Sequence, residues 1–389
     1  MSLQVWLPLN GNLNNQGLAN VSVTNNGATV DTNGKIGSCY KFNGSSIKVV
    51  GANIPISSWS LAVWVYITTS SSNGHQYLVG INTSTSTDFT AGLCWYHDTI
   101  GVHIADTTYL APTSSALNNW YHVAATFNGT TLTLYLNGQS VASWDSPATP
   151  IQANDIYLGA RGGNAGYFTG NLNDVRVYDH CLSPKEVKEI SKGLVLHYPL
   201  NDEYISETSK VYDCSGYGRN GSVTASPTLV DSPRYSKGVK GNATITHTLF
   251  SMNKPFTVCY WVYLTTNGQT GSGKINITGN VSLYRDHDGV DKYTFSIRKT
   301  SGTTAYCTVW EPVTQGWHHL AYVCDSNSFK VYKDGVVSSY SYDVKDAWTA
   351  ISLIQSNNTG LSDFRIYVTA LSADDIKELY DTAGFIDNG

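Results

Sequence analysis

Two tandem copies of an all-β sandwich, each closed by one short helix, are predicted for this 389-residue chain by three observations. Segments rich in β-branched and aromatic residues alternate at period two, the mark of half-buried strands. Some of them run into dipeptides that form tight hairpin turns. The whole order of segments occurs twice.

The repetition is direct. Ser60–Thr69 (SLAVWVYITT) returns as Thr257–Thr266 (TVCYWVYLTT), and Trp120–Ala124 (WYHVA) returns as Trp317–Ala321 (WHHLA) at the same offset. Leu7–Asn10 (LPLN) returns as Tyr198–Asn201 (YPLN), and Leu172–Tyr178 (LNDVRVY) as Leu361–Tyr367 (LSDFRIY). A repeat of this kind decides the architecture before any single element does. The boundary falls near Gly193, giving modules 1–192 and 193–389.

Within each copy, Leu61, Val63 and Val65 alternate with Ala62, Trp64 and Tyr66, and Leu132, Leu134 and Leu136 with Thr131, Thr133 and Tyr135. The second run ends in Asn137–Gly138, residues that tolerate the two positive φ angles of a type I′ turn. Asp334–Gly335 holds that place in copy two. Ser183-Pro184-Lys185-Glu186 reads as a capping box with proline at the first helical position, and Ser372-Ala373-Asp374-Asp375 as a weaker version.

Composition sets limits on function. The length suits two domains of ~100–200 residues. Charged residues are 14 % of the chain, so Ser, Thr, Asn, Gly and the 26 Tyr must cover the surface. A net charge of -5 without a Lys/Arg run argues against nucleic acid as a partner. No apolar stretch approaches the ~20 residues of a membrane-spanning helix, so no membrane insertion is expected. The seven cysteines, Cys39, Cys94, Cys181, Cys214, Cys259, Cys307 and Cys324, do not repeat with the module, so no disulfide framework is expected. Met1–Ser2 leads straight into a strand with no leader-like segment, which predicts synthesis in the cytoplasm.

Taken together, the strand Leu7–Asn10, the motif Tyr40–Ser46 (YKFNGSS), the Trp-Val-Tyr strands, Trp120–Ala124, the Asn-Gly turn and Asp174-Val-Arg-Val-Tyr178 before a Leu-Ser-capped helix resemble the laminin G-like group of the concanavalin A-like lectin/glucanase superfamily. The resemblance covers nearly the whole chain, twice, and implies a jelly-roll sandwich in each half. Copy two departs from it at Gly238–Ile245 (GVKGNATI), which stands in place of Tyr40–Ser46. Such a fold is grafted onto adhesins, lectins, enzyme appendages and virus tail proteins, so function has to be read from sites.

Most repeated residues read as scaffold. Trp64, Trp120, Trp261 and Trp317 are expected in the core, His122 and His319 as structural, and Asp174–Arg176 and Asp363–Arg365 as ion pairs. Glycosidases of the superfamily carry an E-x-D-x-x-E strand, because retaining hydrolysis needs two carboxylates ~5–5.5 Å apart. No such strand is found, Glu203 and Glu207 lie in a polar stretch, and the chain is expected not to be an enzyme.

Binding candidates lie in segments read as loops. Trp95, Tyr96, His97 and Asp98 in copy one, and Tyr284, Arg285 and His287 in copy two, offer rings for a sugar face and polar groups for its hydroxyls. Asp286, Asp288 and Asp291 offer oxygen ligands for calcium, otherwise no cofactor is required, and related laminin G-like domains hold calcium at a loop rim. The resulting expectation is a non-catalytic carbohydrate-binding adhesion protein. In detail it is a phage or prophage virion component, tail fibre or receptor-binding, with a host cell-surface glycan and other virion proteins as partners. Alternatives are a structural decoration protein of a capsid or tail, and the binding part of a secreted glycan-active enzyme. The expected location is the virion surface, or alternatively outside the cell, and homo-oligomerisation is left open.

Overall fold

Strands that alternate inward apolar and outward polar residues can only be stable when two of their sheets close over one core. Each half of the chain does this. The computed structural model describes residues 3–382 apart from 56, 72–73, 83–88, 105–106, 113, 146–152, 207–209, 225–227, 241–243, 253–254, 265–274, 278–280, 289, 299–302, 311–313, 326–327, 341–347 and 355–358. For several strands of the second half, 281–288 and 290–293 among them, the backbone alone is described. The chain divides into two compact units, Met1–Lys192 and Gly193–Gly389.

In the first unit an eight-stranded antiparallel sheet runs Gln139–Asp145, Thr131–Leu136, Trp120–Phe127, Trp59–Ile67, Thr169–Tyr178, Cys39–Asn43 and Thr29–Asp31, with Leu3–Leu7 also on Thr169–Tyr178. A seven-stranded sheet faces it, in the order Thr107–Leu110, Thr99–Ile104, Phe89–Tyr96, Gln76–Asn82, Ala153–Leu158, Ser46–Ile54 and Ser22–Asn26. Leu61, Val63 and Val65 of one sheet and Ile47, Val49, Leu93 and Val102 of the other share the core. The second unit repeats the eight-stranded sheet around Phe256–Leu264, Gly316–Cys324 and Gly360–Tyr367. These are the jelly-roll sandwiches the sequence predicts.

The turns and caps follow from the local sequence. Asn137 and Gly138 have φ of 49° and 79°, and Asp334 and Gly335 have 50° and 77°, the signs a type I′ turn requires. Helix α1 (Pro184–Ser191) starts with a full capping box between Ser183 and Glu186. Helix α2 (Ala373–Asp381) starts with one between Ser372 and Asp375, so the shorter aspartate closes the box as well as a glutamate does.

Both helices cover the outer face of the eight-stranded sheet. Val187 and Leu182 pack on Ala62, Ala124, Tyr135 and Tyr178. Ile376 and Leu371 pack on the matching Cys259, Ala321, Tyr332 and Tyr367. Beside each helix lies a buried polar node. Asp174 accepts hydrogen bonds from Trp6 Nε1 at 2.6 Å and Arg176 Nε at 3.1 Å. Asp363 contacts His197 Nε2 at 2.9 Å, Arg365 Nε at 2.7 Å and Arg234 Nε at 3.0 Å. Both aspartates have positive φ, 53° and 51°, and their N–H groups donate to the carbonyls of Pro8 and Pro199. The Asp-x-Arg ion pairs expected from sequence are therefore present, as anchors of the first strand of each unit.

His122 and His319 are 1 % and 2 % exposed, packed on Trp64 and Trp261 with ring centroids 5.3 and 5.4 Å apart. Burial lowers their pKa values to about 3 and about 4. Trp64 and Trp261 are buried as expected. Trp120 and Trp317 are only half-buried, a correction to the core reading. Each lies at the start of its strand and packs on a tyrosine, Tyr66 or Tyr263. The six described cysteines carry no disulfide.

Candidate functional site

With helices over one sheet, the outer face of the other sheet is the surface left for a ligand. In the first unit the strand Phe89–Tyr96 pairs with Thr99–Ile104 through Tyr96 opposite Thr99, leaving His97–Asp98 as a two-residue turn. Both turn residues have positive φ, 51° and 55°. This conformation is costly without glycine. It is held by tertiary bonds: Ser70 Oγ donates to Asp98 Oδ1 at 2.7 Å, Ser71 N donates to the same oxygen at 2.9 Å, and Asp98 N donates to Ser71 Oγ at 3.1 Å. The donation from Ser71 N, with that from Ser70, holds the Asp98 carboxyl below its usual range.

The period-two pleat then separates the residues read together in the sequence. Ala91, Leu93 and Trp95 point into the core, and Trp95 is 0 % exposed with its indole N–H donating to Thr69 O at 3.2 Å. Trp95 is therefore a core side chain and not a sugar platform. Tyr96 projects outward and is half-buried, and His97 is exposed.

Tyr96 stands in an aromatic group drawn from several elements. The His75 ring stacks on Tyr96 at 3.8 Å with 2° between planes, and His97 lies 3.9 Å from the same ring. Tyr77 and His103 complete the group, 5.7 and 5.4 Å from His75. His75 Nε2 and Thr108 Oγ1 share a 2.8 Å hydrogen bond, and His103 Nδ1 shares hydrogen bonds with Tyr77 Oη and Thr108 Oγ1, each at 3.3 Å.

The loop 159–168, between Ala153–Leu158 and Thr169–Tyr178, lies against this group. Gly166 O accepts from Tyr77 N at 2.9 Å, and a Cβ on Gly166 would come within 2.5 Å of the Tyr77 ring. Glycine is required there both for space and for its φ of 54°. A tight bridge between Arg161 and Ala165 folds the loop so that Arg161 hydrogen-bonds Tyr77. Burial pushes the Tyr77 hydroxyl up to about 12, and burial followed by the neighbouring His103, Arg161 and His97 lowers His75.

The arrangement offers ring faces and edges flanked by imidazole, hydroxyl and guanidinium groups on a fixed sheet. Sequence reasoning found Tyr96, His97 and Asp98 of this site and missed His75, Tyr77, His103, Thr108 and Arg161. A signal for His103 existed, since it alternates with Val102 and Ile104 and must face outward.

In the second unit the candidates fall on strands rather than loops. Tyr284, Arg285, Asp286, His287 and Asp288 lie on Val281–Asp288, and Asp291 on Val290–Arg298. The polar run hid the strand because it has no apolar alternation to reveal one. Asp286 pairs with Lys292 and His287 with Asp291 in the register. The side chains of these six residues lie outside the described part. Among the described residues no group of three or more His, Cys, Asp or Glu is placed to hold a metal ion.

Comparison with known proteins bears on the fold. Among solved structures, domain 4 of AbnA, a GH43 extracellular arabinanase from Geobacillus stearothermophilus in complex with arabinotriose, superposes with a TM-score of 0.39 at 17 % identity, over 49 % of this chain and 98 % of that one. The CBM40 of the Ruminococcus gnavus IT-sialidase, bound to alpha2,3 sialyllactose, gives 0.30 at 19 %, over 35 % of this chain and 82 % of that one. The binding domain of botulinum neurotoxin serotype D gives 0.42 at 12 %, over 93 % and 96 %. None of these likenesses assigns a ligand to this chain. No curated protein sequence matches it. The family model for laminin G-type domains described as concanavalin A-like lectin/glucanases superfamily matches residues 42–188 and 237–377. With more than half of its length matched, in the two places where the sandwiches form, the chain belongs to the concanavalin A-like lectin/glucanases superfamily.

Proposed function

We propose that the protein is a non-catalytic carbohydrate-binding adhesin whose first unit binds glycan on the outer face of its seven-stranded sheet. One observation carries the reading: Tyr96, His75 and His97 form a half-exposed ring stack on rigid strands, edged by polar side chains, in a lectin-type sandwich. Ring faces take the apolar face of a sugar while fixed donors and acceptors take its hydroxyls. The finer reading is a phage or prophage virion component, tail fibre or receptor-binding, that recognises host-surface glycans from the virion surface. The chain's 14 % of charged residues and its wealth of Ser, Thr, Asn and Tyr support it. Calcium at Asp286, Asp288 and Asp291 belongs to the same proposal for the second unit, and a calcium titration of the full chain tests it.

A second reading is a structural decoration protein that contacts other virion proteins. Val336 and Val337, 72 % and 47 % exposed on the edge strand Val336–Tyr340, favour it.

A panel of bacterial cell-wall and capsule polysaccharides tests the main reading. The full chain is expected to bind at least one, and Tyr96→Ala to lose that binding. Absence of binding to every polysaccharide and to intact host cell walls overturns it. Mass spectrometry of purified particles tests the virion assignment.

A further inference from the structure

On the proposed glycan site, the side chains select for charge. Every group that acts electrostatically on His75 is a base: His103 of strand Thr99–Ile104, Arg161 of the loop 159–168, and His97 of the turn. Among the described residues, Tyr77 of strand Gln76–Asn82 and Cys94 of strand Phe89–Tyr96 are pushed up by burial and so stay neutral at ordinary pH. Among the described residues, the one carboxylate at the rim is Asp98. Its oxygens accept from Ser70 and Ser71, which ties it to the turn, and it also acts on the adjacent His97. The described titratable side chains of the site are thus mostly bases, on a chain whose net charge is -5.

Arg161 is half-buried at the edge of the site. Its bond is to the hydroxyl-bearing Tyr77 side chain of the site, and the bridge between Arg161 and Ala165 fixes its backbone. A guanidinium presents a planar fork that fits carboxylate, sulfate and phosphate oxygens. In sequence, the connection between the matching strands of the second unit is 355–359 (QSNNT) and carries no arginine, against 159–168 in the first.

We propose that the first unit prefers anionic glycans, with Arg161 as the residue that sets the preference and the exposed His97 of the turn lending an N–H donor to the same acid group. The proposal rests on the carbohydrate-binding reading and deepens it. It predicts that the two units differ in ligand, since only one carries the basic loop.

Affinity electrophoresis of the full chain in gels containing dextran, polygalacturonate or dextran sulfate tests it. These three probes are neutral, carboxylated and sulfated. Retardation by polygalacturonate or dextran sulfate and not by dextran is expected, and which of the two acts identifies the acid group. Arg161→Gln should weaken that retardation roughly ten-fold, the size of one charge-assisted hydrogen bond. Lys330→Gln, an equal change of charge on an exposed residue of the second unit, should leave it unchanged. If dextran retards the chain as strongly as the acidic polymers, the anion preference is overturned while carbohydrate binding stands. If Lys330→Gln weakens retardation as much as Arg161→Gln, the attraction is diffuse and the proposal also fails. Retardation by none of the three overturns the preference, and the polysaccharide panel then decides separately whether the chain binds sugar.

Discussion

Lowering the pH from 7 to 5 should destabilise both units through two buried histidines, and a single ring replacement should remove that effect from one unit at a time. His122 is 1 % exposed and burial lowers its pKa to about 3. His319 is 2 % exposed and lowered to about 4. In an unfolded chain each returns to ~6.5, so the unfolded state binds the extra proton. The folded pKa lies below the unfolded one. Their burial therefore costs nothing above ~6.5 and is penalised progressively as pH falls towards the folded value, at ~1.4 kcal/mol per pH unit. At pH 5 the penalty is about 2 kcal/mol for each histidine. For domains of this size that corresponds to a Tm lower by ~4–8 °C. His75 in the first unit, and His197 and His247 in the second, are also lowered by burial and add to the acid sensitivity of the native chain. The comparison with His122→Phe isolates one of them. Phenylalanine keeps the edge contact with Trp64 and cannot be protonated. Calorimetry of the full chain at pH 7, 6 and 5 should show one transition losing ~4–8 °C of its acid shift in His122→Phe, and the other doing so in His319→Phe. An unchanged pH dependence of both transitions in His122→Phe would refute the reasoning.

Three other outcomes follow from the geometry. Gly138→Ala should cost roughly 2 kcal/mol in thermal unfolding, since its Cβ would meet Ser191 Oγ at 2.2 Å at a φ of 79°, whereas Gly335→Ala should cost less because its nearest neighbour is the Tyr380 ring at 3.3 Å. Asp363→Asn should lower the second unit's stability by ~3–5 kcal/mol at neutral pH, because buried Arg234 and half-buried Arg365 are left without their carboxylate. Burial opposes the ionisation of Asp363, but Arg365, His197 and Arg234 outweigh it and hold the carboxyl far below the usual range. Trp95→Ala should cost ~3–5 kcal/mol in urea unfolding, while Tyr96→Ala should leave stability nearly intact and remove glycan binding.

What was legible in the sequence was local. Asn137–Gly138 dictates its turn whatever surrounds it, and Ser183 with Glu186 caps its helix through bonds three residues apart. The His97–Asp98 turn was not legible, because no glycine takes either of its two positive φ positions. Its stability comes from Ser70 and Ser71, distant in sequence. The same holds for Asp174 and Asp363, whose conformation depends on Pro8 and Pro199 at the other end of each unit. Trp95 shows the opposite case. Ala91, Leu93 and Trp95 alternate with Gly92, Cys94 and Tyr96, so the period already placed the indole inside. Reading Trp95 to Asp98 as one aromatic cluster overlooked it. The site itself is assembled from four strands, a turn and a loop, and only the register brings Tyr77, Tyr96 and His103 together.

Hydrogen–deuterium exchange of the full chain, with and without a saturating glycan from the polysaccharide panel, tests the central claim most directly. The account predicts slower exchange on glycan binding at residues 75–77, 94–98 and 159–167, with the eight-stranded sheet of the first unit unchanged. Protection confined to the second unit, or to the sheet face beneath α1, would contradict it.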